Sequence, residues 1–194
     1  MKISEEYRRA NGFTPEMIAD AMMAFYDAVD ARCEEILANL KASGITLKCR
    51  AGCCGCCIDG LSMTQAEASV IRKLFPDIGK ERPHAEGACP FLDASGLCRI
   101  YRARPYICRT HGLPMRSLIS AEEASEMGIA CDGGGREAYE ARDICEENES
   151  LADIMELPDE SCWTVGVAEA KIAAMDLCTY GESKRIPMRD FFQN

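Results

Sequence analysis

Apolar residues recur at three- and four-residue steps at two places in the chain, and this spacing predicts amphipathic helices. Ile18, Met22, Phe25, Val29, Cys33, Ile36 and Leu40 form one stripe over residues 14–43. Thr14 suits its N-cap, Pro15 its first turn and Gly44 its stop. At 1.5 Å per residue such a helix is roughly 45 Å long. A second stripe (Cys162, Val165, Ala168, Ile172 and Met175) predicts a C-terminal helix over 159–179. Thr64 with Glu67, and Ser120 with Glu123, have capping-box spacing. They predict helices running to Pro76 and to about Gly128. Arg104-Pro105 opens a short helix carrying Cys108, and a short strand is expected near Leu97–Tyr101.

Between 45 and 61 the helical period gives way to cysteine and glycine, and residues 76–99 read as loop. Gly133-Gly134-Gly135 lacks the lysine and hydroxyl residue of a phosphate loop and reads as a connector. The fold expected is a single domain over 1–194, mainly α with small irregular and β elements. Its helices surround a loop-rich, metal-organised cysteine centre at 45–148.

Composition sharpens this picture in one respect. The 194 residues carry a net charge of −10, which argues against a nucleic-acid partner. No apolar run approaches a membrane span, and Met1–Tyr7 lacks the apolar core of a signal peptide. A cytoplasmic location follows as the expectation. Thirteen cysteines in a reducing compartment point to metal or redox chemistry rather than disulfides. With only His84 and His111 available, a metal site must be mostly thiolate, which suits zinc or iron–sulfur.

Cys33, Cys162 and Cys178 lie on helical stripes and read as core. Cys49, Cys53, Cys54, Cys56 and Cys57 fall within nine residues, at the close spacing by which turns present two thiolates to one ion. Neighbouring side chains in an extended segment point apart, so Cys56 and Cys57 suggest two centres or one extended cluster. Cys89, Cys98 and Cys108 follow in turns or at helix ends. His111 is a candidate nitrogen ligand or hydrogen-bond donor. Tyr101, Arg104 and Arg109 are candidates to balance thiolate charge, or to form ordinary surface ion pairs.

Cys-x3-Cys-x2-Cys-Cys, Cys-Pro-Phe-Leu and Cys-x-Ile-Tyr-x2-Arg-Pro-x2-Cys-Arg, over 49–111, resemble the YkgJ-type cysteine-cluster family. That family is described as zinc- or iron-chelating. Cys145 followed by Asn148 resembles its last motif more weakly. The resemblance implies Cys49, Cys53, Cys56, Cys57, Cys89, Cys98, Cys108 and Cys145 as metal ligands, with Cys54 and Cys131 as extra thiols. Cys49-x3-Cys53-x2-Cys56 also has the radical S-adenosylmethionine spacing, but no βαβ alternation supports that barrel.

The function expected is transition-metal binding with a structural or partner-binding role, the partners being metal ions and an unidentified protein. An iron–sulfur electron-transfer or oxidoreductase-accessory protein is the alternative. Soft-metal trafficking and thiol redox chemistry come after these. No catalytic set stands out.

Overall fold

The computed structural model describes residues 4–6, 14–50, 52–127 and 138–193. Helices α1 (Pro15–Ala42), α2 (Gln65–Leu74), α3 (Tyr106–Thr110), α4 (Ala121–Glu126) and α5 (Val167–Tyr180) outweigh the strands. The strands are β1 (Ser62–Thr64), β2 (Met115–Ile119), β3 (Tyr139–Asp143), β4 (Trp163–Thr164) and β5 (Arg185–Pro187). The chain is mainly helical, and none of its described helices is long and apolar enough to cross a membrane.

Helix α1 has the stripe its sequence dictates. Ile18, Met22, Val29, Ile36 and Leu40 are buried, while Phe25 and Cys33 are half-buried. The Thr14 hydroxyl accepts the Met17 amide at one end. At the other end Gly44 takes φ +80°, and the Ile45 and Gly44 amides return to the Leu40 and Lys41 carbonyls. This reversal satisfies carbonyls that the last turn would otherwise leave bare.

The described contacts group into two compact units. The first takes in residues 1–30, 50–109 and 169–194. Its core is built from Met63, Val70, Ile71, Phe91, Ile100 and Met188. The Thr64–Glu67 capping box opens α2, which ends before Pro76. Buried Glu67 does more than cap. One oxygen accepts the Thr64 amide and the other the Tyr106 amide, which anchors the start of α3. Asp176 on α5 is fully buried and accepts the Ala66 amide, again at the positive end of α2. Strands β1 and β5 pair antiparallel, with Met63 opposite Ile186.

The second unit takes in residues 31–49 and 110–168. Its sheet has the order β3-β2-β4, antiparallel between β2 and β3 and parallel between β2 and β4. Ser120 and Glu123 form their capping box at α4. Arg142 donates to the Ile154 and Leu157 carbonyls and pairs with Glu140 and Asp159. Arg116 joins the same two carboxylates, so two positive and two negative charges balance within the unit.

Two local expectations are corrected. The last helix starts at Val167, not near Asp159. The Trp163 and Val165 amides bond the Pro114 and Arg116 carbonyls, and Gly166 has φ +111°, so 162–166 is drawn into the sheet. Cys162 is therefore buried core, but beside β4 rather than on a helix. Near 97–101 the only ladder contact is the Leu92–Cys98 bridge, and Tyr101–Ala103 forms a 3-10 turn. The chain bends there because Asp93 Oδ1 accepts the Ser95 and Leu97 amides. Helix α4 ends at Glu126 with Met127 as its C-cap, close to the expected stop, while Gly128 and Gly133-Gly134-Gly135 lie outside the described residues.

Candidate metal centre

Backbone turns and one arginine clip place the cysteines of the first unit. The Cys53 amide bonds the Arg50 carbonyl at 2.9 Å, with Gly52 at φ +85°, where a side chain would be strained. A second turn follows at once, from the Cys57 amide to the Cys54 carbonyl at 2.9 Å. The Cys89 amide then bonds the Cys57 carbonyl at 2.8 Å, which joins two cysteine segments directly. Arg189 fastens the same two segments. It pairs with Asp59 and donates to the His84, Ala85 and Ala88 carbonyls, while Asp59 accepts the Gly87 amide. Cys98 is carried by the bridge to Leu92, and Cys108 by α3, whose first amide Glu67 holds.

These thiols feel one another. Burial pushes the Cys108 thiol up to about 12, helped by the nearby sulfurs of Cys89, Cys98 and Cys56 and by Glu67. Burial also raises Cys89, with Cys98 adding to the effect. It raises Cys98 as well, where Arg104 and Arg99 pull the other way. Cys56 donates a hydrogen bond to Cys57, which raises the first thiol and lowers the second. The adjacent pair therefore does not point apart. The chain at this position is a turn, and the extended geometry expected for it does not apply. Cys53 and Cys54 are exposed.

Cys49 and Cys145 belong to the second unit. Asn148 is fully buried; its Nδ2 donates to Cys49 Sγ at 3.4 Å and to the Gly112 carbonyl at 3.1 Å. Its Oδ1 accepts the Lys48 amide at 2.8 Å. Gly112 backs the same sulfur so closely that a Cβ there would lie 2.5 Å from Cys49 Sγ. The half-buried Cys145 opens the turn in which its own carbonyl accepts the Asn148 amide at 2.7 Å.

The remaining candidates fall elsewhere. His111 is exposed, and Cys131 lies outside the described residues. Cys33 and Cys178 are half-buried. Arg109 is buried against the Tyr26 ring, pairs with Asp30 and donates to the Arg102 and Arg104 carbonyls. Arg104 lies over the exposed Tyr101 ring. Gly112 and the contact role of Asn148 escaped the sequence reading. Asn148 is marked only by its distance from Cys145, and nothing local marks Gly112.

Among the described residues, no three Cys, His, Asp or Glu side chains converge in the manner of a closed coordination sphere.

Residues 48–132 match the family model CxxCxxCC, described as "putative zinc- or iron-chelating domain". This segment is similar to the CxxCxxCC cysteine-cluster domain. It is the family anticipated from the motifs at 49–111. The CxxCxxCC segment includes every candidate ligand except Cys145, which follows it at a distance of thirteen residues. No curated protein and no solved structure matches the chain.

Proposed function

We propose that the chain is a transition-metal-binding protein whose thiolates hold zinc or iron in a structural or partner-binding role. Cys49, Cys53, Cys56, Cys57, Cys89, Cys98, Cys108 and Cys145 are its ligands. The observation that carries this reading is the gathering of Cys57, Cys89, Cys98 and Cys108, drawn from three segments, close enough that a thiolate at one disfavours ionisation of the others. The donor set fits such an ion in kind. Four neighbouring sulfurs are all soft ligands, and a cation relieves the repulsion that their thiolates would otherwise suffer. The hydrogen bond between Cys56 and Cys57 favours assigning both sulfurs to one extended centre.

The segments concerned have few ladder hydrogen bonds of their own. A bound ion therefore contributes directly to their folding free energy. An iron–sulfur cluster is the second reading, since the same sulfurs suit it.

Metal and acid-labile sulfide analysis of anaerobically purified protein, with an absorbance spectrum, tests both. Zinc without sulfide or visible absorption is the expected result for a structural module. Iron with matching sulfide, and a broad band near roughly 400 nm, selects the cluster. Protein that retains no zinc or iron, and rebinds neither, overturns the proposal.

A further inference from the structure

The hydrogen bonds around Asn148 fix which way its amide faces. Oδ1 meets the Lys48 amide, a donor, while Nδ2 meets the Gly112 carbonyl, an acceptor. Turning the amide over would set donor against donor and acceptor against acceptor. The orientation is therefore determined by backbone on both sides. One amide hydrogen goes to the Gly112 carbonyl and the other to Cys49 Sγ. The sulfur must then act as an acceptor, a role that a thiolate or a metal-bound thiolate fills far better than a neutral thiol.

Gly112 supplies the second half of this seat. A Cβ at position 112 would stand 2.5 Å from Cys49 Sγ and 3.3 Å from its Cβ, so no larger residue fits while the sulfur is in place. Asn148 is fully buried, so water does not compete for its amide hydrogens.

We propose that Asn148 is a positioning residue for metal binding: with Gly112 it forms a preformed seat that fixes Cys49 Sγ and donates an N–H hydrogen bond to it. This rests on the reading of Cys49 as a ligand. The hydrogen bond stabilises the sulfur in its anionic, metal-bound state, and the backbone groups that orient the amide hold it in place before the metal arrives. Residues that orient metal ligands in this way typically affect affinity by about ten- to a hundredfold.

Zinc affinity, measured on the full-length chain by competition with a chromogenic chelator, tests the proposal through a cycle of Asn148→Asp, Cys49→Ala and the double variant. Asp keeps the shape of Asn but has no hydrogen to give either the sulfur or the Gly112 carbonyl, and only the first of these losses depends on Cys49. Asn148→Asp is expected to weaken zinc binding about tenfold with Cys49 present and to have no further effect once Cys49 is Ala. An equal loss in both backgrounds would make Asn148 a general structural residue and overturn the proposal, leaving Cys49 a ligand. If Cys49→Ala leaves zinc affinity unchanged, the ligand reading of Cys49 fails and this inference with it. Should Asn148→Asp not fold, Gly112→Ala carries the same cycle without removing a hydrogen bond. Its loss is likewise expected only while Cys49 is present, and a loss that persists in Cys49→Ala overturns the proposal. Thermal unfolding of the metal-free variants confirms that the folds compared are equivalent.

Discussion

The two units place cysteine in opposite surroundings. In the first, the sulfurs of Cys57, Cys89, Cys98 and Cys108 sit among one another, and burial raises the thiols of Cys89, Cys98 and Cys108. In the second, Cys49 faces the donor amide of Asn148, and Cys162 lies 3.9 Å from an Arg142 nitrogen. Charges there are already balanced by Arg116, Arg142, Glu140 and Asp159. Burial and mutual repulsion disfavour ionisation in a cluster of thiols, and a cation offsets that repulsion. A sulfur beside a donor is prepared for negative charge in advance. On the metal-binding reading proposed above, the contrast separates sulfur that packs, sulfur that is held ready and sulfur that waits for an ion.

The strongest way to break this contrast is to delete one sulfur from each surrounding. Cys108→Ala is expected to weaken zinc binding at least about a hundredfold, beyond the usual effect of a residue that only orients a ligand. Cys162→Ala should leave zinc affinity unchanged and cost about 1 kcal/mol of folding stability, from lost packing alone. Chelator competition and urea unfolding on the same samples read both effects.

Next in size are the arginines. Arg142→Met leaves two carbonyls without their donor and Glu140 and Asp159 with Arg116 alone, and should destabilise the protein by about 2–3 kcal/mol, with zinc affinity unchanged. Arg189→Met unfastens the segments that carry Cys57 and Cys89, so it should lower zinc affinity as well as stability. Equal zinc affinity in the two variants would remove the distinction between the units. Arg109→Met, which strips donors from the Arg102 and Arg104 carbonyls and a partner from Asp30, is expected to cost about 2 kcal/mol.

A further effect is one of pH. The Cys108 thiol rises from an ordinary 9.0 to about 12, because burial disfavours its thiolate. The folded state therefore holds this proton more tightly than the unfolded chain does. Its contribution is fully present below about pH 9 and is lost as pH rises toward 12. Metal-free protein should show a falling urea midpoint across that window, with a shallower fall in Cys108→Ala. Cys57, whose thiol is lowered by the Cys56 hydrogen bond, has the opposite sign and loses its contribution as pH falls. Metal binding releases thiol protons, so apparent zinc affinity should rise with pH.

Local signals in the sequence were sufficient where structure is local. The α1 stripe, both capping boxes and the short helix carrying Cys108 follow from spacing within a few residues. The strands of the second unit do not. β2 and β3 are short, and they become strands only by pairing residues such as Ser117 and Ala141, a register no local pattern encodes. The same pairing shortened the last helix. At the site, cysteine spacing identified the segments but not the directions of the sulfurs, because the turn at Cys54–Cys57 depends on one backbone hydrogen bond. Gly112 and Asn148 act on Cys49 across 63 and 99 residues of chain, so their role becomes legible only in three dimensions.

The clip made by Arg189 has a consequence for the order of events in synthesis. It reaches back 130 residues to Asp59 and 105 residues to the His84 carbonyl. A ribosome delivers the chain from its N-terminus at about 5–20 residues per second. The segments bearing Cys57 and Cys89 therefore emerge several seconds before the residue that fastens them together. On the metal-binding reading proposed above, loading that depends on this clip waits until Arg189 has emerged, and the early thiols stay reduced until then.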